Sequence, residues 1–251
     1  MHDILAAAGS GAGLIWLTVA VIVAGLVRGF SGFGSAMIIM PVAASVLAPL
    51  EAVIFLAATE LLGPLPNIPQ AVRQGTRRDI MLLMLGVVTA MPLGIWALSY
   101  MSPEPFGWVV SGIVLVLLIL LMTGWRYAGP LGPKLTTATG ALGGFMTGFA
   151  GIAGPPVIML YMASTLPIAV IRANFLLYLV GIDVLLFTML WISDLLVWEI
   201  VVLGLLLGIP NLVANAIGAR YFDPAAERLF RAVAYIVIAA SAILGLPLWK
   251  G

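Results

Sequence analysis

The chain has no cysteine and a single histidine, His2. Disulfides and thiolate metal sites are therefore excluded. Zinc and iron centres, and Ser-His or Cys-His catalysis, lose their usual ligand or base. No metal, cofactor or catalytic group is expected. Charge is scarce as well. Only 8% of the 251 residues are Asp, Glu, Lys or Arg, against about 25% in an ordinary soluble domain. With a net charge of +1 there is no basic patch to neutralise a phosphate backbone, so nucleic acid is not a partner. No Gly-x-x-x-x-Gly-Lys-Ser/Thr or His-Glu-x-x-His sequence occurs, which argues against nucleotide-driven work and against an intramembrane metalloprotease. The N-terminus begins Met1-His2-Asp3 without the basic residues of a signal n-region, so the first apolar run reads as part of the mature protein.

What remains is 63% hydrophobic. A surface so poor in charge suits lipid, and the expected class is an all-α integral membrane protein. A crossing needs about 20 apolar residues, and six segments supply them: 51–70, 80–101, 108–125, 173–193, 197–219 and 231–249. Regions 12–50 and 135–167 differ. Each holds short apolar runs interrupted by glycine, around Arg28-Gly29-Phe30-Ser31-Gly32-Phe33-Gly34-Ser35 and Gly148-Phe149-Ala150-Gly151-Ile152-Ala153-Gly154-Pro155-Pro156. Runs of about 15 residues reach only about 23 Å, short of a hydrocarbon core of about 30 Å. Each region is expected to be a broken helical hairpin, the alternative being two tilted full-length helices. About eight membrane segments result.

Basic residues mark cytoplasmic loops. Arg73, Arg77 and Arg78 form one cluster, Arg126 and Lys134 a second, and Arg220, Arg228 and Arg231 a third. The intervening loops carry Glu51, Glu104, Asp194 and Glu199. Both termini are then extracytoplasmic.

The two broken regions also resemble each other. Gly25, Gly29, Phe30 and Gly32 recur as Gly144, Gly148, Phe149 and Gly151; Ile39-Met40 and Ala44-Ser45 recur as Ile158-Met159 and Ala163-Ser164. Gly86 and Pro92 reappear as Gly204 and Pro210. Each half, 1–128 and 129–251, is a hairpin plus three crossings. An odd number of crossings makes the halves inverted repeats, the plan of secondary transporters.

These two glycine-rich segments, each opening one half, resemble the TauE/SafE family of sulfite or organosulfonate exporters and related anion permeases. The resemblance covers nearly the whole chain. It implies a multi-pass transporter of the bacterial inner membrane for a small sulfur-containing anion. A passive anion channel and a permease for another small organic anion are the alternatives.

Glycine at a helix start lets a ligand approach bare N–H groups, where the helix dipole favours an anion. The anion is expected between the two glycine-rich broken helices, with Gly32, Gly34, Gly151 and Gly154 as the candidates and the hydroxyls of Ser31 and Ser35 beside them. The same glycines can equally serve close helix packing. Arg28 stands at the first break, away from the basic loops. It is either an anion ligand or a snorkelling or acid-paired side chain. Asn174, Asn211 and Asn215 can donate to a sulfonate or bond between helices. Glu60 and Asp183, each inside a predicted crossing, are candidates for proton coupling. The expected partners are a small anion, a proton and membrane lipid, with homodimerisation left open.

Overall fold

The computed structural model describes residues 11–123, 132–161, 166–221 and 227–249, and no strand occurs among them. His2, Trp125, Arg126, Ala163, Ser164 and Lys250 lie outside the described residues. The helices are α1 (Gly11–Ser31), α2 (Ser35–Val46), α3 (Pro49–Glu60), α4 (Ile68–Gln74), α5 (Arg77–Ser99), α6 (Pro103–Thr123), α7 (Pro133–Ala150), α8 (Gly154–Tyr161), α9 (Ile168–Ile192), α10 (Trp198–Arg220) and α11 (Glu227–Leu244). Short 3-10 turns cover Leu65–Asn67 and Pro247–Trp249.

Five of these helices are long and apolar enough to cross a membrane: α1, α5, α6, α9 and α10. A sixth span arises if α3 and the Leu65–Gln74 stretch are counted as one interrupted crossing. Large apolar side chains such as Ile15, Trp16, Leu85, Trp96, Ile119 and Ile192 stand exposed on these helices. Water would penalise that surface, whereas lipid tails solvate it. The protein is a multi-pass α-helical membrane protein.

Three expectations need correction. Segment 51–70 is not one continuous crossing. Helix α3 stops at Glu60, and helix resumes only from Leu65. Pro64, Pro66 and Pro69 remove three N–H donors there and fix φ, which breaks an α-helix. The first arm of region 12–50 is not short either. Helix α1 has 21 residues, or about 31 Å at helical rise, so it can span alone, whereas α2, with 12 residues, is short. Finally, Pro103 and Pro105 do not delay the next crossing to residue 108. They lie in the first turn of α6, where a missing N–H costs nothing because those donors have no helical acceptor.

The helices gather into two compact units. One holds α1, α2, α3, α6, α10 and α11; the other holds α4, α5, α7, α8 and α9. Each unit thus draws helices from both halves of the chain. Inside the first unit α1 packs along α10, and inside the second α7 packs along α5. Glycine makes both pairings close. A Cβ on Gly29 would overlap the Asn215 carbonyl oxygen and the Ala219 nitrogen; one on Gly148 would overlap the Met91 oxygen and the Ile95 nitrogen. The reciprocal contacts repeat too: Gly218 meets the Leu26 carbonyl as Gly94 meets that of Phe145. Contact therefore pairs Gly94 with Gly218, a different register from the sequence correspondence of Gly86 with Gly204.

Candidate functional site

Both breaks are built by the same backbone device. Helix α1 ends where the Gly32 N–H donates to the Arg28 carbonyl at 2.8 Å, with Gly32 at φ 78°. Helix α7 ends where the Gly151 N–H donates to the Thr147 carbonyl at 2.8 Å, with Gly151 at φ 68°. This is the left-handed helix stop that glycine adopts without a Cβ penalty. Gly34, at φ 95°, then caps the start of α2. A Cβ on Gly32 would meet nothing within 4 Å, so its glycine is required by backbone angle and not by space. On the opposite side of the break, a Cβ on Gly34 would lie 3.0 Å from Ile238 of α11. Phe33 packs on Tyr235 of that helix at a centroid distance of 6.3 Å.

The first break gathers the polar chemistry. The Arg28 guanidinium lies 3.4 Å from the Ser35 hydroxyl oxygen and 3.4 Å from Glu60 Oε1. The Ser35 hydroxyl donates to the same carboxylate oxygen. Three helices therefore converge: α1 supplies the cation, α2 the hydroxyl and α3 the carboxylate. Arg28 and Glu60 keep 23% and 21% of their side-chain surface accessible, so neither is sealed into the core. Ser35 opens α2, and the N–H groups of Ser35, Ala36 and Met37 have no acceptor within their own helix. The first internal cap bond is from Ile38 to Gly34, at 3.1 Å. A guanidinium, a hydroxyl and a helix N-terminus, side by side, are the donor types that oxyanions accept from. Ser31 serves the break itself. Its hydroxyl lies 2.6 Å from the Val27 carbonyl oxygen and 2.9 Å from that of Phe33.

The second break is different. Counting along the repeat, Thr147 stands where Arg28 does and Gly154 where Ser35 does. Thr147 is buried and donates to Gly143 at 2.7 Å. Helix α8 starts Gly154-Pro155-Pro156, so two of its first three residues have no N–H to offer. Aromatic rings close in around it. Tyr178, fully buried, donates to the Ala153 carbonyl at 3.2 Å, and a Cβ on Gly154 would lie 3.3 Å from Phe175.

The amides divide. Asn174 is fully buried; it accepts the Thr76 N–H at 2.6 Å and its amide nitrogen lies 3.5 Å from Asp79. Asn211 is buried and donates to the Val21 carbonyl at 2.9 Å, tying α10 to α1. Both are engaged in holding helices together. Asn215 is half-buried one turn beyond Asn211. Asp183 is half-buried in the middle of α9, in the other unit from Glu60. The Arg28–Glu60 pairing is absent from any local motif. Two lone charges in apolar helices were its signal, since a charge inside a bilayer needs a partner.

The model of the family described as Sulfite exporter TauE/SafE matches residues 17–244 of the chain. No curated protein and no solved structure matches it.

Proposed function

Since the chain belongs to the TauE/SafE sulfite exporter family, we propose that it is a secondary transporter for a small sulfur-containing anion, sulfite or an organosulfonate, bound at the first helix break. The observation that supports this reading most is the convergence of Arg28 and Ser35 at the amino end of α2. A guanidinium is a planar fork that matches two oxygens of one sulfur centre. Ser35 and the bare N–H groups of α2 supply donors for the third. Gly34 caps the helix with no side chain over its end, and Gly151 and Gly154 shape the second break without adding charge.

The two halves, 1–128 and 129–251, are proposed to be inverted repeats. The matching glycine stops at Gly32 and Gly151 and the matching packing of Gly29 and Gly148 support this. The proposed location is a bacterial inner membrane, with the loops around 71–79 and 220–231 cytoplasmic and both termini outside. The native chain lacks cysteine, so a Gln74→Cys variant, at an exposed position, reports the sidedness. Labelling of intact cells by an impermeant reagent would overturn the orientation.

Transport is tested with purified protein in liposomes, offered sulfite, sulfoacetate, taurine and sulfate. Saturable uptake with counterflow, lost in Arg28→Gln, is expected. Unsaturable flux without counterflow would favour a passive channel, and flux unchanged in Arg28→Gln would remove the site.

A further inference from the structure

The receptor at the first break is already occupied by part of the chain. Glu60 Oε1 lies 3.4 Å from the Arg28 guanidinium and accepts the Ser35 hydroxyl. These are the two side chains assigned above to the anion. A carboxylate and a sulfonate compete for the same donors, because both present paired oxygens to a guanidinium. We propose that Glu60 is a resident competitor, displaced by protonation, so that each anion enters the site together with one proton. The inference rests on the Arg28 site reading and deepens it by naming the coupling ion.

Charge balance carries the argument. As an ion pair, Arg28 and Glu60 sum to zero. An anion added to that pair would leave one uncompensated negative charge among apolar helices, which a membrane interior disfavours strongly. A proton added to Glu60 forms an O–H bond and gives up the ionic contact with Arg28. The guanidinium then holds the anion, and the site again sums to zero. Ser35 turns its hydroxyl from the carboxylate to the anion, and the protonated Glu60 becomes a donor. Either half-step alone breaks neutrality; the two together keep it.

The charged residues on the helices packed around this pair are few. Helices α2 and α10 pack on α3. Helix α2 brings Ser35 and no charged residue, while the charged residues of α10, Glu199 and Arg220, lie at its two ends. Helix α1 brings Arg28 alone. Helix α11, packed on α1 and α2, carries Glu227, Arg228, Arg231 and Tyr235, and Tyr235 donates to the Leu121 carbonyl at 3.3 Å. Among the described residues, Arg28 is the charged group within ion-pair distance of Glu60.

The test uses the full-length protein in detergent and methanesulfonate, whose sulfonate stays ionised throughout, so that any proton taken up belongs to the protein. Calorimetry in buffers of different ionisation enthalpy, from about pH 5 to pH 8, gives affinity and proton uptake together. Wild type should bind more tightly as pH falls, by up to about tenfold per pH unit, with close to one proton taken up per anion. Glu60→Gln should bind with no proton uptake and no pH dependence, at neutral pH at least as tightly as wild type does in acid. Proton uptake near zero in wild type overturns the inference without any variant. So does a Glu60→Gln protein that keeps the wild-type pH dependence, or one that is folded and binds more weakly at every pH. Arg28→Gln separates the two claims. Binding lost there while Glu60→Gln stays pH-dependent leaves the site standing and removes the coupling; binding retained there removes both.

Discussion

The two helix breaks share a backbone and differ in chemistry. Gly32 and Gly151 stop their helices by the same left-handed turn and the same cap bond. Three residues earlier, and again four residues before that, Gly29 with Gly25 and Gly148 with Gly144 let a neighbouring helix backbone come close. Yet the first break meets Arg28, Ser35 and Glu60, and the second meets Thr147, two prolines and aromatic rings. Glycine positions fix the shape of a break, because the left-handed stop favours glycine by backbone angle and the close helix approach requires it by space. The side chains around it are free to diverge, so an equal shape does not imply an equal role in binding.

The strongest way to test the shared part is to fill both packing sites. Gly29→Val and Gly148→Val should each destabilise by about 3 kcal/mol or more, since the added atoms meet backbone that cannot move aside. Thermal unfolding in detergent measures it, and a large effect at only one site would break the likeness. The unequal part is tested next. Arg28→Gln should lower sulfonate affinity about 10- to 150-fold, the equivalent of about 1.5–3 kcal/mol for a charge-assisted bond, with Arg28→Lys between the two. Thr147→Val, at the corresponding place, should leave affinity within about threefold of wild type, because one neutral hydroxyl already bonded within its own helix gives little to a ligand. An equal loss in both would make the two breaks partners in binding.

Smaller effects sort structure from function. Asn174→Ala should cost about 1–3 kcal/mol of stability by leaving the Thr76 N–H without its acceptor, with affinity unchanged in the folded protein. A loss of affinity there would extend the site into the second unit. Gly32→Ala and Gly151→Ala should each cost only about 1 kcal/mol, the strain of an L-residue in the left-handed region. Chemical denaturation of the two variants side by side would show whether the two stops are energetically alike.

The class of the protein, the family and both break positions were legible in sequence. Charge is scarce enough to read at once, and a glycine that stops a helix leaves a local mark. Lengths were less legible. Apolar composition does not say where α1 begins, and the Gly63-Pro64-Leu65-Pro66 interruption sat unread inside a run that passed as one crossing. Pro103 and Pro105 misled in the opposite direction, since proline opens a helix as readily as it ends one. The Arg28–Glu60 contact joins residues on two helices with a third between them in the chain, and no periodicity carries that. Pairing with an acid was open as a reading of Arg28, but only the packing of α1, α2 and α3 names the acid. Asn174 and Asn211 show the converse: a polar residue in an apolar helix announces a hydrogen bond without saying to whom.

The Pro155-Pro156 pair at the start of α8 has a consequence for hydration. A buried helix start keeps several N–H groups that must find an oxygen, and where the protein offers none, a solvent molecule has to stay. Two of the three donors at the head of α8 do not exist, and Tyr178 satisfies the neighbouring Ala153 carbonyl. The second break therefore leaves fewer N–H donors in search of a partner. At the first break the N–H groups of Ser35, Ala36 and Met37 are all present at the head of α2, beside Arg28. The same glycine stop thus opens onto a helix start rich in N–H donors at one break and poor in them at the other.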